Sequence, residues 1–196
     1  MEAAVGVVEK LSAPAVIIGH SMGGAIATAV AKQVPKKMRG LILADPAWLS
    51  VEQERFYAEA AGESVRRTAR WQCDPVGALA ENTLKRAHWR STDHLHWLYG
   101  QLHVDLGVVA SGVVSFPAPW QDYVADLAVP THVITSGDDC LVGEAGAEAI
   151  RGMGRPELTV TYLEGARIPC PSICRKPSAP KCGGYYASWA PRGGAR

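Results

Sequence analysis

Along the first third of the chain, short apolar runs alternate with turns marked by glycine and proline. Val5, Val8 and Leu11 recur at helical spacing, so residues 1–11 read as the end of an amphipathic helix, broken by Ala13-Pro14. Ala15-Val16-Ile17-Ile18 is a β-branched run of the kind that forms a strand buried on both faces. Gly19-His20-Ser21-Met22-Gly23-Gly24 follows without a gap, and the alanine-rich stretch from Ala25 to Gln33 is helix-competent up to Pro35. Leu41-Ile42-Leu43-Ala44 predicts a second buried strand, closed by Asp45-Pro46. Strand, glycine turn, helix and strand together make the βαβ unit of a parallel sheet.

From Ala47 to about Trp120 the strand pattern disappears, apart from the ambiguous run Val108–Val114, and helical spacing takes over. Ser50 with Gln53 three residues on has the form of a capping box. The aromatics Trp48, Phe56, Tyr57, Trp71, Trp89, Trp97 and Tyr99 read mainly as the core of this helical insertion. Sheet character returns at Thr131–Thr135; a loop with Asp138 and Asp139, a helix near Glu144–Met153 and a last strand at Leu158–Leu163 follow. The division expected is a core βαβ unit over 1–46, a helical insertion over 47–120, core strands and a loop over 121–166, and an irregular tail over 167–196.

Composition adds little for the body and much for the tail. Lys and Arg number 20 against 19 Asp and Glu, a net of +1. Six of the basic residues and none of the acidic ones follow Ala166, so residues 1–166 hold 14 basic and 19 acidic groups, a net of −5. That balance argues against nucleic acid as a partner. No window has the roughly 18 apolar residues of a membrane span, and no secretory signal is visible, which gives a cytoplasmic expectation with no membrane partner. Cys170, Cys174 and Cys182 crowd the tail with no histidine after His132, a poor set for zinc. Asp93-His94-Leu95-His96 would splay its two rings on a helix and reads as surface. No metal and no cofactor are implied.

Gly19-His20-Ser21-Met22-Gly23 matches G-x-S-x-G, in which a strand turns sharply into a helix and holds a serine in a strained conformation above the sheet. Flanking glycines let the backbones pass closely. The helix N-terminus favours a developing oxyanion, and the Met22 N–H is one donor for it. A phosphate-binding loop is excluded by the absence of its lysine and glycine spacing.

With the Leu41–Pro46 strand end and Glu164-Gly165-Ala166 after the last strand, this elbow resembles the α/β-hydrolase fold family, in its capped, esterase-like form. The resemblance covers about residues 1–166 and implies the C-terminal part of that fold: about four mostly parallel strands, flanking helices and a helical cap. It implies a serine hydrolase acting on a carboxylic ester or related acyl group, with Ser21 as nucleophile, Met22 in the oxyanion hole and a small apolar ester-like substrate. The acid is expected after the strand that follows the cap. Ser136-Gly137-Asp138-Asp139-Cys140-Leu141-Val142 fits, pointing to Asp139 with Asp138 as the fallback. Some members place it where Asp45 stands, although Asp-Pro there is more often structural.

The sequence departs from the family pattern in three ways. Where a glycine and the basic histidine should follow Ala166, it reads Arg167-Ile168-Pro169. Strands expected before the elbow, with the second oxyanion donor, do not precede it, so the Ala15–Ile18 strand becomes a sheet edge open to self-association. The abrupt shift in charge, cysteine and periodicity at Arg167 is the pattern of a reading-frame change. The alternative to an active hydrolase is a non-catalytic truncated member, inert or binding a small apolar ligand or a partner chain.

Overall fold

A computed structural model describes residues 2–87, 89–116, 119–137 and 140–164. The tail reading over 167–196 lies outside the described residues. Two compact units are present: residues up to Tyr57 with those from Val113, and Ala58–Gly112.

The first unit is built on a four-stranded sheet of β1 (Ala15–Ser21), β2 (Met38–Pro46), β3 (Thr131–Ser136) and β4 (Leu158–Leu163) in that spatial order. All three pairings are parallel. Helix α1 (Glu2–Glu9) precedes β1, and α2 (Met22–Gln33) links β1 to β2 through a single turn of 3-10 helix at Pro35–Lys37. The core lies on one sheet face. Leu41, Leu43, Val133 and Leu158 point into it and meet Val30 and Ala31 of α2 and a buried Ile150.

The other face is less covered. Val16 is 52% and Ile18 68% exposed, so the Ala15–Ile18 run is not buried on both faces as its composition suggests. The cause is topological. β1 is one of the two edge strands, and the buried positions of all four strands fall on the same side of the pleat.

Trp48 and Trp120 belong to this unit rather than to the helical one. Their rings stack at 5.2 Å, Trp48 is 1% exposed, and its Nε1–H donates to Thr28 Oγ1 at 3.1 Å. Thr28 Oγ1 in turn donates to the Gly24 carbonyl at 2.8 Å. Ser50 caps α3 (Val51–Cys73) as its sequence suggests: Gln53 N donates to Ser50 Oγ at 3.2 Å and Ser50 N to Gln53 Oε1 at 2.8 Å. The short α7 (Trp120–Val124) has no signal in the apolar spacing. The Arg155 guanidinium donates to the carbonyls of Val124 and Leu127 at 2.8 and 2.6 Å, satisfying groups that a helix end leaves open. Helix α8 (Gly143–Gly152) completes the unit.

The second unit is helical. It holds most of α3, then α4 (Pro75–Lys85), α5 (Ser91–His103) and α6 (Leu106–Ala110). The ambiguous Val108–Val114 run forms no strand. Asp105 accepts from Gly107 N at 2.6 Å and from Val108 N at 3.4 Å, a cap that commits the first part of it to α6. Trp71 and Trp97 meet edge to face at 5.0 Å. His94, read as surface, is 5% exposed and its Nδ1 bonds Asn82 Nδ2 at 2.8 Å, because α5 turns this residue against α4. Among the described residues no helix is long and apolar enough to cross a membrane.

Glu81 collects the polar groups of this unit, accepting from Trp71 Nε1 at 3.1 Å and Arg70 at 2.9 Å and pairing with Lys85. Hydrogen bonding, first from Lys85 and then from Trp71, pushes its pKa down to about 2. A depressed carboxyl contributes stability that is complete above its ordinary value of 4.5 and lost as pH falls through the folded value. Between pH 5 and 2 the melting temperature of the wild-type chain should therefore fall further than that of Glu81→Gln, followed by circular dichroism. Parallel curves would remove this role.

Candidate active site

The site is assembled where two strands stop. β1 ends at Ser21, and α2 begins at the next residue. Ser21 has φ 51° and ψ −123°, and Ser21 and Asp45 are the two described non-glycine residues at positive φ. For a residue with a Cβ this conformation costs on the order of 1–3 kcal/mol, so the surroundings must hold it. They do so through close backbone crossings. A Cβ added at Gly19 would lie 2.7 Å from Gly23 O and 2.8 Å from Gly24 Cα. One added at Gly24 would lie 2.7 Å from Pro46 Cβ. Ala47 N donates to Ser21 O at 2.8 Å, tying the turn to the end of β2.

Which glycines matter differs from the pentapeptide pattern. Gly23 has nothing within 4 Å of an added Cβ, whereas Gly19 and Gly24 have no room. The steric requirement therefore sits at Gly24, one residue past the motif, because that residue and not Gly23 faces Pro46.

Ser21 occupies the N-cap position of α2 but makes no side-chain capping bond, which leaves its hydroxyl outside the helix hydrogen bonding. Met22 is the first residue of α2, and the first turn carries no acidic side chain to oppose negative charge there. Asp138 and Asp139 lie outside the described residues. Cys140 N donates to Gly137 O at 3.0 Å, and Cys140 Sγ and Ser136 Oγ are 3.2 Å apart.

Asp45 stands between the two loops and is 1% exposed. Its Oδ2 accepts from Leu141 N at 2.8 Å, and its Oδ1 from Val142 N at 3.0 Å and Thr135 Oγ1 at 3.1 Å. Burial pushes its pKa up, against the pull of these donors and of His20. The carboxylate is thus engaged on both oxygens by a neighbouring loop, in keeping with a structural Asp-Pro. Thr135, fully buried near the end of β3, carried no sequence signal beyond its strand position.

The described histidines have other settings. His20 is next to Ser21 along β1, and partial desolvation lowers its pKa against the attraction of Asp45. His94 bonds Asn82, His103 Nδ1 lies 2.8 Å from Tyr99 O, and His132 bonds Thr159 and Thr161 at 2.8 and 3.0 Å. His88 is outside the described residues, and His96 is exposed on α5.

The family described as serine aminopeptidase, S33, a group of α/β-hydrolases, matches residues 3–167. The chain belongs to the α/β-hydrolase family. Its fold is similar to that of E-2-(acetamidomethylene)succinate hydrolase, at 15% identity and a TM-score of 0.62, covering 84% of this chain and 64% of that one. It is similar to N-formylmaleamic acid deformylase from Pseudomonas putida S16 at 16% identity and a TM-score of 0.58, covering 83% and 63%. Carboxylesterases of Nitrososphaera gargenis give 19% identity, a TM-score of 0.55 and coverage of 84% and 62%. This α/β-hydrolase chain therefore spans a little under two thirds of the length of these proteins, and the four-stranded parallel sheet is a C-terminal part of their fold. No protein of curated function matches the sequence significantly.

The glycine geometry separates two neighbouring substitutions. Gly24→Ala should destabilise the chain by about 1–3 kcal/mol, since its methyl meets Pro46 rather than a flexible side chain. Gly23→Ala should be neutral or stabilising by up to about 1 kcal/mol, through helix propensity. Urea midpoints of the two variants check the pair, and equal losses would contradict the steric assignment.

Proposed function

We propose that this chain is a serine hydrolase framework for carboxylic esters or related acyl groups. Ser21 attacks the carbonyl, the Met22 N–H donates to the oxyanion, and Asp139 orients the base. The single observation that carries the reading is the conformation of Ser21, a strained residue at a strand-to-helix junction with its hydroxyl left out of capping. Proteins of similar fold include carboxylesterases and E-2-(acetamidomethylene)succinate hydrolase, which supports the acyl class. A small apolar substrate and a cap formed by the helical insertion rest on the family resemblance.

The base is the incomplete part. A serine hydroxyl is a weak nucleophile until a base takes its proton, and removal of a triad base costs several powers of ten in rate. No histidine follows His132, and Arg167 stays protonated and cannot accept that proton. Imidazole added in solution can take that proton in place of a histidine.

A second reading is favoured by the exposed Val16 and Ile18 at the sheet edge: a non-catalytic member that holds an apolar ligand or pairs β1 with a second copy.

One assay separates the two. With p-nitrophenyl acetate and increasing imidazole, the rate in excess of that with Ser21→Ala should rise and saturate. Equal rates for both folded proteins at every imidazole concentration would leave the non-catalytic reading.

A further inference from the structure

Asp45 links the Ser21 turn to the backbone at Leu141 and Val142. The pairing of β1 with β2 slips at this point: His20 is opposite Ala44, but Ser21 is opposite Pro46, so Asp45 is the extra residue of a bulge. Its φ of 41° is the other positive value among described non-glycine residues. A bulge re-aims a side chain, and here the carboxyl is directed to the backbone that follows the acid loop. Leu141 N and Val142 N donate to it, and Gly143 N donates at 3.1 Å to Thr135 Oγ1, which itself donates to Asp45. Three successive backbone N–H groups are thus held by one carboxyl and the hydroxyl it orients. The Leu141 carbonyl is held as well, accepting from Gln53 Nε2 at 3.0 Å. On its other side, Pro46 packs on Gly24 and Ala47 N donates to Ser21 O at 2.8 Å.

We propose that Asp45 is a positioning residue: its bulged carboxyl fixes residues 141–143 relative to the Ser21 turn. The proposal rests on the hydrolase reading for its catalytic meaning but not for its geometry. Ionised carboxylate suits the role because both oxygens only accept. An asparagine in its place presents an N–H₂ to one of the two backbone donors, and that bond is lost. A hydroxyl is needed at 135 because it must accept from Gly143 and donate to Asp45 at once.

The test uses the full chain and reads amide hydrogen exchange by NMR. In Asp45→Asn, exchange at Leu141 or Val142, whichever faces the amide N–H₂, should accelerate about tenfold or more, the scale of one lost hydrogen bond, while Leu43 and Val133 keep their protection. In Thr135→Val the acceleration should appear at Gly143, and Thr135→Ser should restore protection; this pair serves if Asp45→Asn does not fold. Unchanged exchange at 141–143, or a uniform rise across the sheet, overturns the proposal. The second readout is the imidazole-dependent, Ser21-dependent turnover. Asp45→Asn should lower its kcat about tenfold with KM little changed, because orientation and not binding is lost. Loosened exchange with unaltered kcat also overturns the positioning role. Absence of Ser21-dependent turnover in the wild-type chain overturns the hydrolase reading alone, and the exchange data then decide the anchoring by themselves.

Discussion

The close crossing of the α2 start over the end of β2 is the constraint from which the site follows. Gly24 lies against Pro46 with no room for a methyl, Gly19 lies under Gly23 and Gly24, and the Ser21 carbonyl is held by Ala47 N. These contacts force the chain from strand to helix within one residue, and Ser21 takes the strain at φ 51°. Because the strain is held by backbone packing, the hydroxyl needs no capping bond. Thr28 and Trp48 extend the same support into the core, since the Gly24 carbonyl accepts from Thr28 and Thr28 accepts from Trp48.

The backbone at 141 and 142 is tied to the Ser21 turn through Asp45-Pro46. One dipeptide supplies both the surface on which Gly24 packs and the carboxyl that gathers 141 and 142. Burying a carboxyl is costly unless donors surround it, and here they do. Burial nonetheless pushes its pKa up against the pull of these donors.

Much of this could be read from residue order. Each of the four strands contains the apolar run expected for it, and the Ser50–Gln53 box starts α3. Ser21 was legible because G-x-S-x-G stood between a strand and a helix. Other features were not legible, for reasons that lie in three dimensions. Apolar spacing does not say which side of a strand is covered, so Val16 and Ile18 read as buried. The motif names Gly23, whereas contact with Pro46 selects Gly24. Helix α7 is too short for a periodic signal and takes its C-terminal bonds from Arg155, about thirty residues further along. His94 read as surface because only the packing of α5 on α4 turns it inward. An Asp-Pro after a strand suggests structure, but that it would collect backbone donors from 141 and 142 depends on the β2–β3 pairing.

On the proposed reading, the strained strand-to-helix turn prepares Ser21 for acyl attack. That reading is met most directly by treating the folded chain with a fluorophosphonate in the presence of imidazole and locating the adduct by peptide mass spectrometry. Modification should fall on Ser21 ahead of every other serine, with that selectivity lost in urea. Failure of folded protein to label at Ser21, or equal labelling of its serines with and without urea, would contradict it.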